Sequence, residues 1–397
     1  MDAVTDARGG STAGPRLWPA GFARGTANRS AVLVLASLAG ILPRQLVAAA
    51  WRLGSATACL ASVRAGHLGS EVDRHMAGEI HPEDVKTALE RTGARLVAPG
   101  DEEYLDGLEH LTDPPAALFV RGRRLSELSG RVAVVGARNC SPLGREVAEE
   151  LGSGLGAAGL TVVSGGARGI DGASHRGALR MGGTTVAVLG CGIDIAYPVN
   201  HTVLLRRIAE RGAVVSEYPP GVPARPFRFP ARNRIIAAVS EAVVVVEGAA
   251  GSGSLITADH ALDLGRPVYA VPGPVSSPLA QVPLSLIREG AGMVRNSSDL
   301  LMDLGRLDPG PGSSGLAAAR LTPAERAVLD ALAGPSLPEQ LARALGLGLT
   351  EILPVLTDLE LRGLVRSVAG RVERTMVDGL TLGRGRQAHE GGEFGAG

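Results

Sequence analysis

Residues 161–180 have the sequence TVVSGGARGIDGASHRGALR, in which an apolar β-branched run is followed by a glycine-rich turn and then by an amphipathic stretch. The same rhythm recurs from residue 131 to residue 304, and it predicts βα units that build a parallel sheet. The runs lack polar alternation, as strands covered on both faces require. We therefore expect a doubly wound, mostly parallel α/β sheet with strands at 132–135, 161–164, 185–189, 213–216, 242–247 and 268–271.

The rest of the chain divides by composition. Short helical runs precede the sheet region, and a segment rich in Gly, Pro and Ser after it leads into a second helical segment. We expect, in chain order, a disordered leader at 1–28, a small helical domain at 29–95, the sheet domain at 96–305, a linker at 306–318, a further domain at 319–376 and a disordered tail at 377–397.

The composition argues against several classes of protein. Cys59, Cys140 and Cys191 are odd in number and far apart, so neither a disulfide framework nor a metal site is predicted. The most apolar stretch, 31–50, is interrupted at Pro43 and predicts two short helices instead of a membrane span. We expect a cytoplasmic protein without a membrane segment.

Positive charge is concentrated in the sheet region, although the formal net charge of the whole chain is +0. From 131 to 235 there are 13 Arg against 7 Asp plus Glu, which leaves a net charge of +6 (13 − 7). This local excess favours a polyanionic partner.

The carboxyl ends of the predicted strands mark the candidate site, because ligands of doubly wound sheets bind there. Four loops should gather at that edge: 136–144, 165–171, 190–200 and 248–254. The GxGxxG at 154–159 ends a helical pattern instead of opening one, so we interpret it as helix packing with a C-terminal cap. NAD binding is not expected, and no cofactor is predicted.

Two of these loops carry the residues of an anion site. Backbone amides at a helix start, together with arginine side chains, bind phosphate. The candidates are Arg138, Ser164, Gly165, Gly166, Arg168 and Gly169. In an alternative that stays open, the glycines only permit a tight turn and Arg168 pairs with a carboxylate.

The segment 227–235, FRFPARNRI, places arginines beside two phenylalanines. Guanidinium groups on phosphates, with rings for base stacking, are typical of single-strand binding. The candidates in this segment are Phe229, Arg232, Asn233 and Arg234. Alternatively, an arginine here pairs with Glu217 or Glu247 and ties the sheet together.

A last glycine turn feeds a helix and offers hydroxyl groups to phosphate oxygens. Its candidates are Gly251, Ser252, Gly253 and Ser254. Two other polar residues are interpreted structurally: Asp171 as the N-cap of the helix that follows, and His175 as a core histidine that bonds a backbone carbonyl.

At these loops the sequence resembles the DNA-processing protein A (DprA/Smf) family. The matching motifs lie in family order: VVGARNCSPLG, SGGARGIDGASHRGAL, VLGCGIDIAYPVN, SEYPPG, FPARNRIIAAVSEAVVVVEG, GSGSLITADHAL and GRPVYAVPGPV. The resemblance implies an extended Rossmann-like sheet domain, flanked by a small N-terminal helical domain of the SAM or helix-hairpin-helix type and by a C-terminal winged-helix domain.

The resemblance also implies a function. It implies sequence-independent binding of single-stranded DNA, homodimerisation through the Rossmann-like domain, and recruitment of the recombinase RecA in natural transformation or recombination, without enzymatic turnover. The family's basic residues match Arg138, Arg168, Arg232 and Arg234.

The chain departs from the family pattern at several positions. Val199 stands where a basic strand-binding residue is described, so we expect that contact to be lost or taken over by Arg206 or Arg207. The stretch 280–283, AQVP, replaces a Gly-x-Asn turn. In the N-terminal domain, the turn at 40–42 lacks its second glycine, which makes phosphate binding there doubtful.

The expected recognition helix of the winged-helix domain, 350–362, is acidic. It contains Glu351, Asp358 and Glu360 against Arg362, a net charge of −2 (1 − 3), where DNA-binding helices carry positive charge. We expect it to contact protein.

A second hypothesis comes from a different class of protein. Related Rossmann-like proteins cleave or sense nucleotide-derived metabolites, and their catalytic members carry a PGGxGTxxE motif. The nearest stretch, 251–259, lacks the glutamate. Glu217 and Glu247 could act as a general acid and base, although such carboxylates more often hold arginines.

Overall fold

A computed structural model describes residues 17–38, 40–306, 322–332, 334–361, 364–368 and 370–374. They divide between two compact units, Met1–Arg306 and Leu307–Gly397. The predicted tail and nearly all of the predicted linker lie outside the described residues.

The first unit is built on a nine-stranded sheet with the spatial order β1-β2-β6-β5-β4-β3-β7-β8-β9. The pairs β1–β2 and β2–β6 are antiparallel, and every other neighbouring pair is parallel. The strands are β1 Ala94–Val97, β2 Leu118–Gly122, β3 Arg131–Val135, β4 Thr161–Ser164, β5 Thr184–Leu189, β6 Ala213–Ser216, β7 Ala242–Val245, β8 Val268–Ala270 and β9 Gly292–Met293. The predicted doubly wound, mostly parallel sheet is confirmed.

The strand order reverses between β3 and β7, because β3 to β6 proceed in one direction and β7 returns to the other side of β3. Such a switch point leaves a crevice at the carboxyl ends of the strands.

The helices of this unit are α1 Thr26–Ser37, α2 Pro43–Leu53, α3 Ala56–Arg64, α4 Glu71–Glu79, α5 Pro82–Thr92, α6 Asp106–Glu109, α7 Pro142–Ala157, α8 Ile170–Arg180, α9 Thr202–Arg211, α10 Arg228–Val239, α11 Gly253–Asp263, α12 Gln281–Arg288 and α13 Ser297–Asp303.

Helices α7 and α8 pack closely through glycines. A Cβ atom on Gly156 would lie 3.1 Å from the Ala178 carbonyl oxygen, and one on Gly177 would lie 2.9 Å from the Ser153 nitrogen. Gly159 follows the end of α7 with φ 75°. The GxGxxG at 154–159 therefore serves helix packing and chain reversal, as the sequence predicted.

The N-terminal helices share one hydrophobic core with the sheet. This core begins earlier than predicted, because Trp18 and Phe22 are buried and their rings stack 4.4 Å apart. The Ala56 backbone N–H also donates to the Phe22 carbonyl at 3.0 Å. The expected disordered leader is thus wrong for residues 17–28, since two large apolar rings gain more from burial than their ordering costs.

The backbone of the turn at 40–42 already has a hydrogen-bond partner within the protein. The Gly40 N–H donates to a carboxylate oxygen of Asp73 at 2.9 Å, and this carboxylate would repel a phosphate.

No single helix of the described residues is long and apolar enough to cross a membrane. The bent pair of helices α2 and α3 meets that test jointly, by length and composition alone.

The second unit has the winged-helix arrangement that the resemblance implied. It contains α14 Pro323–Ala331, α15 Pro338–Leu345 and α16 Leu349–Leu361, followed by the antiparallel strands β10 Val365–Val368 and β11 Arg371–Arg374. Val328, Leu341, Ile352 and Leu359 form its core. The expected recognition helix corresponds to α16, and Arg362 lies outside the described residues.

Candidate nucleic-acid interface

Three of the four predicted loops, 136–144, 165–171 and 248–254, border a cleft of about 380 Å³ at the switch point, whereas the loop 190–200 contributes no lining residue. We call this cavity the switch-point cleft. Its walls come from the loop after β3, the loop after β4, the start of α10 and the start of α11. They include Gly136, Arg138, Ala167, Asp171, Phe229, Arg232, Asn233, Ser252, Gly253 and Ser254.

An exposed aromatic and cationic stack forms one side of the cleft. The Arg138 guanidinium lies over the Phe229 ring, 4.8 Å from its centroid, and the Tyr197 ring lies 5.0 Å from Phe229 at 33°. Arg138 is exposed, Phe229 is half-buried, and Tyr197 is 43% exposed. A guanidinium placed over a ring can contact a phosphate while the exposed part of the ring remains available to a base. Sequence reasoning missed Tyr197, whose only signal was its place in the AYP motif.

The loop after β4 exposes Arg168 but keeps its other polar groups inside. The Ser164 hydroxyl donates to the Val134 carbonyl at 2.7 Å. Asp171 accepts from the backbone N–H groups of Gly165 and Ala167, at 3.1 and 3.3 Å. These two amides are therefore occupied, and Arg168 is the group that this loop offers to solvent.

Asp171 does not cap α8 in the way the sequence predicted. Gly169 occupies the N-cap position with φ 77°, and Asp171 lies in the first turn, where its carboxylate folds back onto the loop. Burial raises the pKa of Asp171, and the Arg232 guanidinium opposes that shift.

Arg232 lies beneath the cleft as an internal tie. It is 4% exposed, and its Nη1 donates to the Gly165 carbonyl at 2.7 Å and also to the Val188 carbonyl. Burial lowers the pKa of Arg232 to about 10, against the attraction of Asp171, so the group stays charged at neutral pH. A Cβ atom on Gly165 would lie 2.6 Å from the Asp171 carboxylate, which leaves no room for a side chain. Arg232 thus fastens the ends of β4 and β5 together.

Arg234 does not fit the prediction that it contacts a strand directly. It is 3% exposed and forms a bidentate pair with Glu217, at 2.7 and 2.9 Å, while its Nε lies 2.9 Å from an Asp113 oxygen. Burial alone would lower the pKa of Arg234, but Glu217 and Asp113 raise it above its ordinary value. The alternative, an ion pair with Glu217 that ties the sheet region together, describes Arg234.

The start of α11 forms the opposite wall. Asn233 donates from Nδ2 to the Gly253 carbonyl at 2.9 Å and so fixes α11 against α10. The Ser252 and Ser254 hydroxyls lie 2.9 Å apart, while Gly251 and Gly253 are exposed. The first turn of this 11-residue helix therefore borders the cleft. Ser252 already accepts from the Ser254 N–H through its hydroxyl and from the Leu255 N–H through its carbonyl, so the positive end of the helix dipole is what would attract an anion here.

The two candidate catalytic carboxylates are both used in structure. Glu217 holds Arg234, and Glu247 accepts from the Ser141 N–H at 2.8 Å and from its hydroxyl at 2.6 Å at the start of α7. No group of His, Cys, Asp and Glu among the described residues could hold a metal ion.

His175 is a core residue, but its partner differs from the prediction. Its Nδ1 lies 2.6 Å from the Thr185 hydroxyl, and that hydroxyl donates to the Val162 carbonyl at 2.7 Å. Nδ1 therefore carries the proton, and the buried Nε2 has no partner among the described residues. The histidine bonds a side-chain hydroxyl instead of a backbone carbonyl.

The fold and the cleft together define a Rossmann-like protein with an arginine and aromatic site at its switch point. A family model described as DNA recombination-mediator protein A matches residues 95–305, and one described as DprA winged helix domain matches residues 313–371. The chain therefore belongs to the DNA recombination-mediator protein A family of DNA-processing proteins, and the resemblance seen in its motifs is confirmed.

Similar proteins agree with this assignment. A putative DNA processing protein DprA of Mycobacterium tuberculosis is 40% identical over 333 residues, 78% of this chain and 85% of the relative. The protein Smf of Escherichia coli is 42% identical over 217 residues, 54% of this chain and 58% of the relative. An X-ray structure of DNA processing protein A from Streptococcus pneumoniae matches with a TM-score of 0.59 and 32% identity, over 70% of this chain and 98% of that one.

Proposed function

We propose that the switch-point cleft binds single-stranded DNA without regard to sequence, and that the protein passes this strand to the recombinase RecA without turning over a substrate. The observation that carries the proposal is the exposed Arg138 stacked on Phe229, opposite the open first turn of α11. Phosphates would contact Arg138 and Arg168 and lie near the positive end of α11, while bases would stack beside Phe229 and Tyr197.

The arrangement supports single strands in preference to duplexes. Base stacking on Phe229 requires unpaired bases, and sequence tolerance follows because every base has a π-face.

Several of the predicted binding residues would act indirectly. Arg234 would hold α10 in place, and the others would shape the cleft: Ser164, Gly165, Gly166, Gly169, Arg232 and Asn233.

The test is fluorescence anisotropy with single-stranded oligonucleotides of several base compositions. Arg138→Ala is expected to weaken binding to every composition by a similar factor, about tenfold for the loss of one charged contact. Arg145→Ala, which removes an exposed arginine of α7 outside the cleft lining, is the matched control. A loss confined to particular sequences would count against the proposal.

A second pair of variants tests the stacking role. Phe229→Leu is expected to weaken single-strand binding by about 1–3 kcal/mol, the range measured for one base–aromatic stack. Phe227→Leu is the matched control, because Phe227 is 64% exposed and absent from the cleft lining. Equal losses in the two variants would argue against a specific stack on Phe229.

For the second unit we propose a protein-binding role. Glu351, Asp358 and Glu360 make α16 acidic, which disfavours a DNA backbone. Truncation after Gly310 should leave oligonucleotide affinity nearly unchanged, whereas a large loss would refute this role.

The remaining parts of the proposal follow from the family. We expect a cytoplasmic homodimer joined through the sheet domain, measurable by sedimentation as twice the mass of the chain. The intact protein should shorten the lag of RecA assembly on single-stranded DNA that is already covered by a single-strand-binding protein. Arg138→Ala should lengthen that lag again.

A further inference from the structure

A second cavity, of about 470 Å³, lies beside α9. We call it the α9 groove. It is bounded by one side of α9, the end of β2 and the loop after β5, and its apolar wall includes Leu189, Ile193, Leu205 and Ala209. Its volume falls in the range of small-molecule sites.

Arg121, near the end of β2, lines this groove without a protein partner. Its Nε is fully buried and has no hydrogen-bond partner, and the guanidinium makes no hydrogen bond or ion pair with any described residue. Burial lowers the pKa of Arg121, and Asp194 opposes the shift without pairing with it. A desolvated and unpaired charged donor is unfavourable for folding, so its presence points to a ligand.

Arg206 also lines the groove. It is exposed on α9 and, within the described part of the chain, forms no ion pair. Two carboxylates complete the lining: Asp194 accepts from the Gly221 N–H at 2.9 Å, and Glu210 follows Arg206 by one helical turn. The lining carries two guanidinium groups and two carboxylates, so it matches a nucleotide unit whose phosphate lies at the arginines, whose ring face lies on the apolar wall and whose amino groups lie at the carboxylates, away from the phosphate.

The α9 groove and the switch-point cleft share no lining residue, but residues 196 and 197 link them. Ala196 lines the groove, and the next residue, Tyr197, contacts Phe229 in the cleft. Leu189 and Leu205 lie on the groove side of the loop after β4, because a Cβ atom on Gly166 would approach both at 3.6 and 3.5 Å. A strand leaving the cleft over Tyr197 would therefore meet Arg206 and Arg121 next.

We propose that the α9 groove binds a nucleotide unit through its phosphate ester, as a continuation of the strand bound in the cleft. This inference rests on the proposed function. It would also explain how the chain compensates for Val199, an uncharged residue that is 79% exposed and follows Tyr197 by two positions.

The test compares oligothymidylates of about six and about 20 nucleotides. Arg121→Met and Arg206→Gln are expected to bind the short oligonucleotide like the unaltered protein and the long one about tenfold more weakly, as for one lost charged contact. Arg211→Gln removes the same charge from α9 outside the groove lining and is the matched control. Arg138→Ala, in contrast, should weaken binding of both lengths.

Free dAMP distinguishes the two sources of the phosphate. If dAMP binds the protein but not Arg121→Met, and oligonucleotide length has no effect, the groove takes a free nucleotide. If Arg121→Met and Arg206→Gln both bind dAMP and oligonucleotides of both lengths like the unaltered protein, the inference is overturned. If only Arg138→Ala then loses oligonucleotide affinity, the proposed function still stands.

Thermal unfolding separates a ligand-binding role of Arg121 from a structural one. Because Nε has no partner, Arg121→Met should unfold at the same temperature as the unaltered protein or higher. A midpoint lower by several degrees would show that the arginine serves the fold and would overturn its assignment to a ligand.

Discussion

The buried His175 makes the folded protein sensitive to mild acid. Burial, reinforced by positive charge on His201, Arg176 and Arg232, lowers the pKa of His175 from 6.5 to about 3. Because the folded pKa is depressed, the stabilisation is fully present above pH 6.5, the unfolded value, and is lost as the pH falls toward 3. The difference of about 3.5 pKa units corresponds to about 5 kcal/mol, of which about 2 kcal/mol is lost between pH 6.5 and pH 4.5.

The perturbation that tests this is His175→Asn, because an asparagine amide can replace Nδ1 as donor to Thr185 but does not titrate. The assay is urea unfolding at several pH values from 7.5 to 4.5, with His67→Asn as an exposed control. The free energy of unfolding of His175→Asn should fall by about 3 kcal/mol less over this range than that of the unaltered protein. Parallel curves for the two proteins would refute the reasoning.

Other variants test the division between exposed and internal residues. Arg234→Met leaves Glu217, whose side chain is 17% exposed, without its partner and should lower the free energy of unfolding by about 3 kcal/mol, the lower end of the range for a buried pair, while the folded fraction still binds oligonucleotides; unchanged stability would contradict the internal role. Gly165→Ala forces a Cβ against the Asp171 carboxylate and should cost about 1–3 kcal/mol in urea unfolding, whereas Gly78→Ala in α4, with nothing within 4 Å and no positive φ, should not lower the stability. Val199→Lys should increase the affinity for single strands, and no gain in anisotropy titrations would place this residue away from the bound strand.

The sheet was predictable because its strands are apolar on both faces, a pattern that only a covered parallel sheet requires. The location of the candidate site at the switch point was predictable from the positions of the glycine loops after β3, β4 and β7. The ordered segment at 17–28 was missed because its composition is rich in Gly, Ala and Arg. Trp18 and Phe22, large rings in a chain with few aromatics, were the available signal.

The roles of the arginines could not be read from spacing. Arg232 and Arg234 lie two residues apart on α10, one directed at the Gly165 carbonyl and the other at Glu217. Both are internal because nearly all of α10 is buried, and a charge in such a helix needs partners from neighbouring elements. The uninterrupted apolar run at 235–239 was the sign of that burial. Arg138, on a loop, remains exposed.

The central claim is that Arg138 and Arg168 contact the phosphates of a single strand. The most direct measurement is the salt dependence of oligonucleotide binding by Arg138→Ala/Arg168→Ala, compared with Arg44→Ala/Arg288→Ala, which removes two exposed arginines from α2 and α12 instead of from the loops after β3 and β4. The slope of log K against log salt should become shallower by about 1.4, since each phosphate contact on a single strand contributes about 0.7. A slope equal to that of the control variant would contradict the claim.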